Sequence, residues 1–372
     1  MKNFLFFLLF AAALTVALMP AETQCCTSWM IFSDFTGNNT NILHKNRDAS
    51  PRNIRVFMSP ADSPRKWISL SDRVGGVNSG INTSGLAGIM NSGELCSEPT
   101  ANKSKKRTPE MMRTILESCD TAKQAVAKLQ ELLAAGDYWH GKRGSIFFFC
   151  DPKEGFICEV TAKHCSVQRY SRGFAVRANI WQNPNMYELS RNTITGYLNS
   201  SARAYIAISL LNEAMDKNQK ISVDDVVAAS RHCRMPEKSP LKRPLCGKDT
   251  NSGATIEIDR QYPGILSAMY VSIGAPRNTV CIPVPVCVEK IHPAIADLRW
   301  ADAAWKRYEK LGFDAEIPAE WLAFEKAGRD KFKQVQEQAR KLLDNGNRDE
   351  AVKLLNAAAC EIWNDAAALM KL

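Results

Sequence analysis

Short apolar runs separated by turn residues follow one another through much of the chain. They predict a hairpin over residues 27–43, with its turn at 36–39, and strands over residues 54–58 and 67–70. Residues 77–90 alternate small and apolar side chains around a turn at 82–85. Further strands are predicted over residues 145–150, 156–161, 166–170, 174–180, 255–258, 268–273 and 280–284.

Apolar positions recur with helical spacing in other parts of the chain. Pro109 opens one helix, and Thr121 caps the next, which ends at Gly136. Residues 201–215 and 223–232 show the same period. The chain after residue 293 is almost entirely helical and ends in a helical hairpin over residues 332–343 and 348–369. Strands early and late, with helices between them, predict an α+β fold with layered sheets.

The first 25 residues have the pattern of a secretory signal peptide. Lys2 precedes an apolar run over residues 4–19, which Pro20 and Ala21 close. The run is about 16 residues long, shorter than the roughly 20 that a bilayer-spanning helix needs. An uncleaved membrane anchor is the alternative. We expect a secreted or periplasmic protein that loses residues 1–25 and has no later membrane segment.

The net charge of the chain is +9, and it stays +9 after removal of residues 1–25, which contain one Lys and one Glu. Basic residues gather at 103–107 and 238–243, in stretches without interleaved aromatic residues. This pattern favours solvated loops over a surface for an anionic partner, and no nucleic-acid motif is present. The cysteines and histidines lack the regular spacing of a zinc site, so no metal or cofactor is expected.

The 12 cysteines suggest disulfides in an exported protein. If Cys25 leaves with the signal peptide and Cys26 stays free, the remaining cysteines are even in number. Sequence does not give their connectivity. A non-catalytic, disulfide-rich exported binding protein is therefore one hypothesis, and it requires Cys25 or Cys26 to sit in a disulfide.

A cysteine at a newly exposed N-terminus suggests a second hypothesis. Its thiolate is a nucleophile, and its own α-amine, with an ordinary pKa near 8, can accept the proton at neutral pH. Signal peptidase could cut directly before Cys26. Alternatively, cleavage after Ala21 leaves a short segment, residues 22–25, for later removal by the protein itself.

The residues after Cys26 resemble a known family. Cys26-Thr27 begins a strand, a turn follows, and the next strand ends in Lys45, two further residues and Asp48. This pattern resembles the cysteine N-terminal-nucleophile hydrolases, which include choloylglycine hydrolases, penicillin V acylases and the acyl-CoA:6-aminopenicillanate acyltransferase family. The resemblance implies that Asp48 orients the amine and that Lys45, where the hydrolases usually have Arg, favours the thiolate. Arg47 could share that role.

Three later segments fit the same resemblance. A turn at residues 82–86 is followed by Asn91, which is implied to donate its side-chain amide to an oxyanion. Asn179 ends a strand and is implied to hold the α-amine or the oxyanion. Arg203 lies in a Ser-Ser-x-Arg segment at a predicted helix start, near the nucleophile. The alternatives are a turn residue for Asn91, a strand-end cap for Asn179 and a surface position for Arg203.

The resemblance implies a four-layer αββα sandwich with a helical C-terminal extension. It predicts a signal peptide (1–25), a catalytic domain (26–290) and the extension (291–372). The implied reaction is hydrolysis of a linear carbon–nitrogen amide through a thioester on Cys26, on a small-molecule amide or peptide. Transfer of the acyl group to an amine and a dipeptidase-like activity are alternatives. The acyl and amine parts of the substrate, and association into a homo-oligomer, stay open.

Overall fold

The computed structural model describes residues 26–37, 39–100, 102–235 and 243–372. The predicted signal peptide, Cys25 and the basic residues 238 and 242 lie outside these ranges. The strands are β1 (Thr27–Ile31), β2 (Thr40–Asp48), β3 (Arg55–Met58), β4 (Trp67–Ser71), β5 (Ser79–Asn82), β6 (Ala87–Leu95), β7 (Arg143–Cys150), β8 (Gly155–Val160), β9 (Cys165–Tyr170), β10 (Phe174–Arg177), β11 (Thr250–Asp259), β12 (Ala268–Ile273) and β13 (Cys281–Pro285). The α-helices are α1 (Ser33–Thr36), α2 (Thr108–Ser118), α3 (Ala122–Ala134), α4 (Ile194–Asn218), α5 (Val223–Ser230), α6 (Pro263–Leu266), α7 (Pro293–Ala296), α8 (Arg299–Leu311), α9 (Ala319–Asp344) and α10 (Arg348–Leu369), and a 3₁₀ helix spans Pro184–Leu189.

The strands form two antiparallel sheets. The first sheet has the order β10-β1-β2-β11-β12-β13, and the second runs in sequence order from β3 to β9. The predicted N-terminal hairpin therefore lies inside the first sheet, where β2 pairs with both β1 and β11. A strand that is hydrogen-bonded on both edges has a well-defined backbone, so the side chains of β2 have fixed positions.

The sheets pack face to face because alternate residues of their strands give each sheet an apolar inner face. Ile146 and Phe148 of β7 face the core between the sheets, together with Met30 of β1 and Leu43 of β2. Phe147 of the same strand β7 faces the opposite way. The core between the sheets is thus made by every second residue of the central strands.

Helices cover the two outer faces. Helices α2 and α3 place apolar residues such as Met112 and Leu129 against the outer face of the second sheet. Helix α4 covers the first sheet, where Leu211 belongs to the same buried cluster as Trp29 of β1. The order of layers is helix, sheet, sheet, helix, which confirms the αββα sandwich predicted from the sequence.

The C-terminal helices pack on the far edge of the first sheet. Trp363 of α10 donates its indole N–H to the carbonyl of Pro283 at 2.7 Å. Arg231 forms a bidentate ion pair with Glu325 of α9, with both N–O distances at 2.7 Å, and both side chains are buried. The predicted helical hairpin is present as α9 and α10. The predicted domain boundary at residue 290 stays a prediction.

Helix α4 differs from the sequence prediction. It begins at Ile194 rather than at residue 201, because the Thr193 hydroxyl accepts a hydrogen bond from Gly196 N at 3.1 Å and caps the helix. Arg203 is therefore a mid-helix residue, not one at a helix start. None of the helices in the described ranges is long and apolar enough to cross a membrane.

The Arg231–Glu325 pair generates a stability prediction. Glu325→Gln leaves the buried Arg231 charge without its counter-ion and should lower the free energy of unfolding by about 3–5 kcal/mol. Asp330→Asn, five residues further along α9, removes an exposed partner of Lys326 and should cost no more than about 1 kcal/mol. Urea unfolding of the two variants measures both values, and equal losses would contradict this account.

Candidate active site

The β1–β2 hairpin positions Cys26 beside the two charged residues that the sequence pairs with it. Thr27 lies opposite Asn46 and Ser28 opposite Lys45. Cys26 directly precedes β1, is only 3% exposed, and its thiol lies 3.9 Å from the backbone carbonyl oxygen of Asp48. Because side chains alternate along a strand, Lys45 faces one side of the sheet and Asp48 the other.

A cavity of about 210 Å³ opens next to Cys26. It lies where the first sheet meets the loops around the start of α2. Ten of its sixteen lining residues are polar or charged, and the aromatic rings among the lining residues that the structure describes are those of Trp139 and His140. The lining residues are Cys26, Lys45, Arg47, Asp48, Ala49, Pro51, Asp72, Arg73, Asn78, Met90, Ser92, Arg107, Thr108, Pro109, Trp139 and His140. We call this space the nucleophile cavity.

Lys45 is buried between the two sheets, with 1% of its surface exposed. Its ammonium group donates a hydrogen bond to the carbonyl of Met90, and it lies 3.7 Å from the Met90 sulfur. Burial lowers the pKa of Lys45 to about 8, and the neighbouring Cys26 opposes that shift. Near neutral pH Lys45 thus supplies a positive charge to the wall that contains the thiol.

Asp48 lies on the opposite side of β2 and is also buried. The Thr250 hydroxyl donates to its carboxylate at 2.7 Å, and a guanidinium nitrogen of Arg203 lies 4.0 Å away. Burial raises the pKa of Asp48 to about 7, although Arg203 and Thr250 both act to lower it. The carboxyl group therefore changes charge close to neutral pH.

Arg203 connects Asp48 to Asn179. Its guanidinium donates to the side-chain oxygen of Asn179 at 2.8 Å, and its side chain is fully buried. The Asn179 amide in turn donates to the carbonyl of Ser92 at 2.7 Å. The structure thus brings together five of the residues predicted from the sequence, namely Cys26, Lys45, Asp48, Asn179 and Arg203.

Asn91 lies in the gap between the sheets, and its side chain forms hydrogen bonds to other parts of the protein. Its oxygen accepts a hydrogen bond from Ser28 at 2.7 Å, and its amide donates to the carbonyls of Arg177 and Ala178 at 3.3 and 3.1 Å. Asn91 therefore ties β1, β6 and the end of β10 together. Donation to an oxyanion would require one of these bonds to break, so that role stays a prediction.

Sequence reasoning missed His140, which lines the cavity. Its ring contacts three hydroxyl groups, those of Ser92 at 3.1 Å, Thr108 at 2.8 Å and Ser145 at 2.7 Å. Burial and the charges of nearby Arg143 and Lys45 lower the pKa of His140 to about 4, so the ring is neutral. No motif surrounds His140 in the sequence, and only the fold brings it here.

The cysteines do not follow the disulfide prediction. All eleven cysteines of the described residues have free thiols, ten of them in addition to Cys26. Their positions follow the apolar core instead, as with Cys150 and Cys158 in the central strands of the second sheet. Within the same residues, no group of three or more His, Cys, Asp or Glu side chains is arranged to hold a metal ion.

Comparison with known proteins identifies the family of the chain. The model of the acyl-coenzyme A:6-aminopenicillanic acid acyl-transferase family matches residues 35–233, which is more than half of the chain. The match includes Lys45, Asp48, Asn91, Asn179 and Arg203 and begins after Cys26. No curated protein sequence matches the chain.

Several solved structures are similar to the chain. Two are variants of the conjugated bile acid hydrolase from Clostridium perfringens, both with a TM-score of 0.46 and 10% identity; the alignments cover 70% and 78% of this chain and 92% and 95% of theirs. A third is penicillin V acylase from Agrobacterium tumefaciens, with a TM-score of 0.45 and 13% identity over 70% of this chain and 86% of that one. Similarity at this level says nothing of the substrate of this chain.

Proposed function

Because the chain belongs to the acyl-coenzyme A:6-aminopenicillanic acid acyl-transferase family, we propose that it is an exported amidase with Cys26 as its N-terminal nucleophile. The substrate is a linear amide, and the acyl group passes to water through a thioester. The observation that carries the proposal is the buried thiol of Cys26 at the wall of a cavity, with Lys45 on one face of β2 and Asp48 on the other. Export is proposed from the apolar run in residues 4–19.

The proposed reaction begins with a proton transfer within one residue. The Cys26 thiol gives its proton to the free α-amine of Cys26, and the thiolate attacks the amide carbonyl carbon. The C–N bond of the tetrahedral intermediate then breaks, and the leaving amine takes the proton from the ammonium group. Water, deprotonated by the same α-amine, attacks the thioester and releases the acid and the thiol.

The charged residues support these steps in different ways. Lys45 stabilises negative charge on sulfur, because both groups lie in a buried region where charges are weakly screened. Asp48 accepts hydrogen bonds and favours the ammonium form of the amine. Arg203 holds Asp48 in place, and Asn179 ties Arg203 to Ser92 of β6, so both act as positioning residues. No metal or cofactor takes part in the proposed reaction.

A second function is favoured by the family match. The family is described by an acyl-transferase, so transfer of the acyl group from the thioester to an amine is the alternative to hydrolysis. Incubation with an amine acceptor distinguishes the two, because only a transferase makes the new amide. The third hypothesis, a disulfide-rich binding protein, loses its support in the described residues, where all cysteines are free thiols.

Substitution of the nucleophile tests the proposal. Cys26→Ala should lower the rate of amine release from linear N-acyl amides by about a thousandfold or more. Cys26→Ser should retain a weak activity, because a hydroxyl is harder to ionise than a thiol. Cys360→Ala, at an exposed cysteine of α10, is the matched control and should leave the rate unchanged. Full activity of Cys26→Ala would refute the proposal.

The pKa shifts predict a narrow optimum of pH. The value of kcat/KM should rise with pH as Asp48 loses its proton near pH 7 and as the α-amine of Cys26 becomes free to act as the base, and it should fall above about 8, as Lys45 loses its charge. The substitution Lys45→Arg replaces the titrating ammonium with a group that stays charged, so the fall above pH 8 should disappear.

The control for this prediction is Lys128→Arg, at a surface lysine of α3 that pairs with Glu131. Its pH profile should match that of the unmodified enzyme. The thermal midpoint of each variant checks that the larger Arg side chain is accommodated. An alkaline limb that persists unchanged in a folded Lys45→Arg enzyme would contradict the assignment of that limb to Lys45.

A further inference from the structure

We propose that the nucleophile cavity contains a carboxylate-binding subsite centred on Arg47, so that the amide substrate carries a negative charge. This inference rests on the proposed amidase function and names the class of substrate for the same site. The carboxylate can belong to the acyl part or to the amine part of the amide. Either location uses the same recognition chemistry.

The position of Arg47 is the first argument. It follows Lys45 by two residues on β2, so the two side chains share the face that lines the cavity with Cys26. Only 13% of the Arg47 side chain is exposed. A substrate whose carbonyl reaches Cys26 therefore passes next to this guanidinium.

The hydrogen bonds of Arg47 are the second argument. One guanidinium nitrogen, Nη2, pairs with Asp72 at 3.1 Å, and Asn78 donates to the same carboxylate at 2.5 Å. Although burial opposes the shift, Arg47 and Asn78 keep the pKa of Asp72 below its ordinary value, so this carboxylate is charged near neutral pH. The other nitrogen, Nη1, is buried and has no hydrogen-bond partner among the described residues.

Burial of a donor of a charged group without a hydrogen-bond partner destabilises the protein. Asp72 orients the guanidinium without satisfying it. A substrate carboxylate in the cavity could accept hydrogen bonds from this guanidinium after a small rotation that brings Nη1 to the cavity surface. A charge-assisted bond of this kind is stronger than one between neutral groups. Arg47 therefore keeps one guanidinium nitrogen available for a hydrogen bond to a bound anion.

The charge of the cavity wall is the third argument. Arg73 and Arg107 join Lys45 and Arg47, while Asp48 and Asp72 are the opposing carboxylates among the lining residues. Arg107 lies with its guanidinium 4.9 Å from the centre of the Trp139 ring. His140 adds no charge, because its pKa is lowered to about 4. An apolar acyl group would desolvate this excess of positive charge without compensation.

Matched pairs of probes test the proposal. Succinyl-4-nitroanilide and butyryl-4-nitroanilide differ by a carboxylate on the acyl part. N-butyryl-4-aminobenzoate and N-butyrylaniline differ by a carboxylate on the amine part. In at least one pair, we expect the charged probe to have a kcat/KM about tenfold or more above its neutral partner, mainly through a lower KM.

Variants of Arg47 assign that preference. Arg47→Met should reduce the ratio of charged to neutral kcat/KM by about tenfold or more, and Arg47→Lys should restore part of it. Arg169→Met, at an exposed arginine of β9 paired with Glu154, is the control and should keep the ratio of the unmodified enzyme. A ratio that is the same with and without Arg47 would overturn the inference.

Binding separates this inference from the proposed function. Calorimetric titration of the four probes into the Cys26→Ala protein, after its N-terminus is confirmed by mass, should give tighter binding of the charged member of a pair, and Arg47→Met should abolish the difference. Such binding without turnover by the unmodified enzyme would support the subsite and contradict the amidase. Turnover without a preference that depends on Arg47 would support the amidase and contradict the subsite. If none of the charged probes binds, the subsite proposal is overturned.

Discussion

The double pairing of β2 fixes the site. On one edge, β2 pairs with β1 in a register that sets Lys45 opposite Ser28, and on the other edge it pairs with β11. A slip by one residue would exchange the two faces of the strand and move Lys45 out of the gap between the sheets. The register is held by the apolar residues of the same strand, since Leu43 belongs to the inner core and Ile42 to the outer one. The partition of apolar side chains thus determines where the chemically active ones lie.

Burial then sets the electrostatics of these groups. Loss of hydration lowers the pKa of Lys45 to about 8 and raises the pKa of Asp48 to about 7. Both groups are therefore poised near neutral pH, on opposite sides of one strand. The polar contacts of Asp48 reach into two other parts of the fold, through Thr250 on β11 and Arg203 on α4. Asp48 was expected from the sequence of the hairpin alone, yet its hydrogen bond and ion pair come from elements that are distant in sequence.

The sequence predicted what is local. The turn and strand pattern predicted the hairpin over residues 27–43, and the family resemblance pointed to Lys45 and Asp48 at its end, close to Cys26. The layered α+β fold was also predictable, because strand and helix periods differ clearly along the chain. The family predicted from the motifs is confirmed by the match over residues 35–233.

Contacts between segments that are distant in the chain could not be predicted from the sequence. Thr250 lies 202 residues from Asp48 in sequence, and nothing near it signals that contact. Arg107 belongs to a basic run that composition assigned to solvated loops, yet it lines the cavity against Trp139. The cysteines were interpreted from the expected compartment, whereas their positions in the described residues follow core packing.

The central claim is that one residue supplies both the nucleophile and its base, and the N-terminus of the exported protein tests it most directly. We would determine the intact mass and N-terminal sequence of protein recovered after export, beside the Cys26→Ala variant. The account predicts that the mature chain begins at Cys26; the same start in the variant would assign the cut to signal peptidase. A mature, active chain that begins at Ala21, Glu22 or Cys25 would place the amine on another residue and contradict the mechanism.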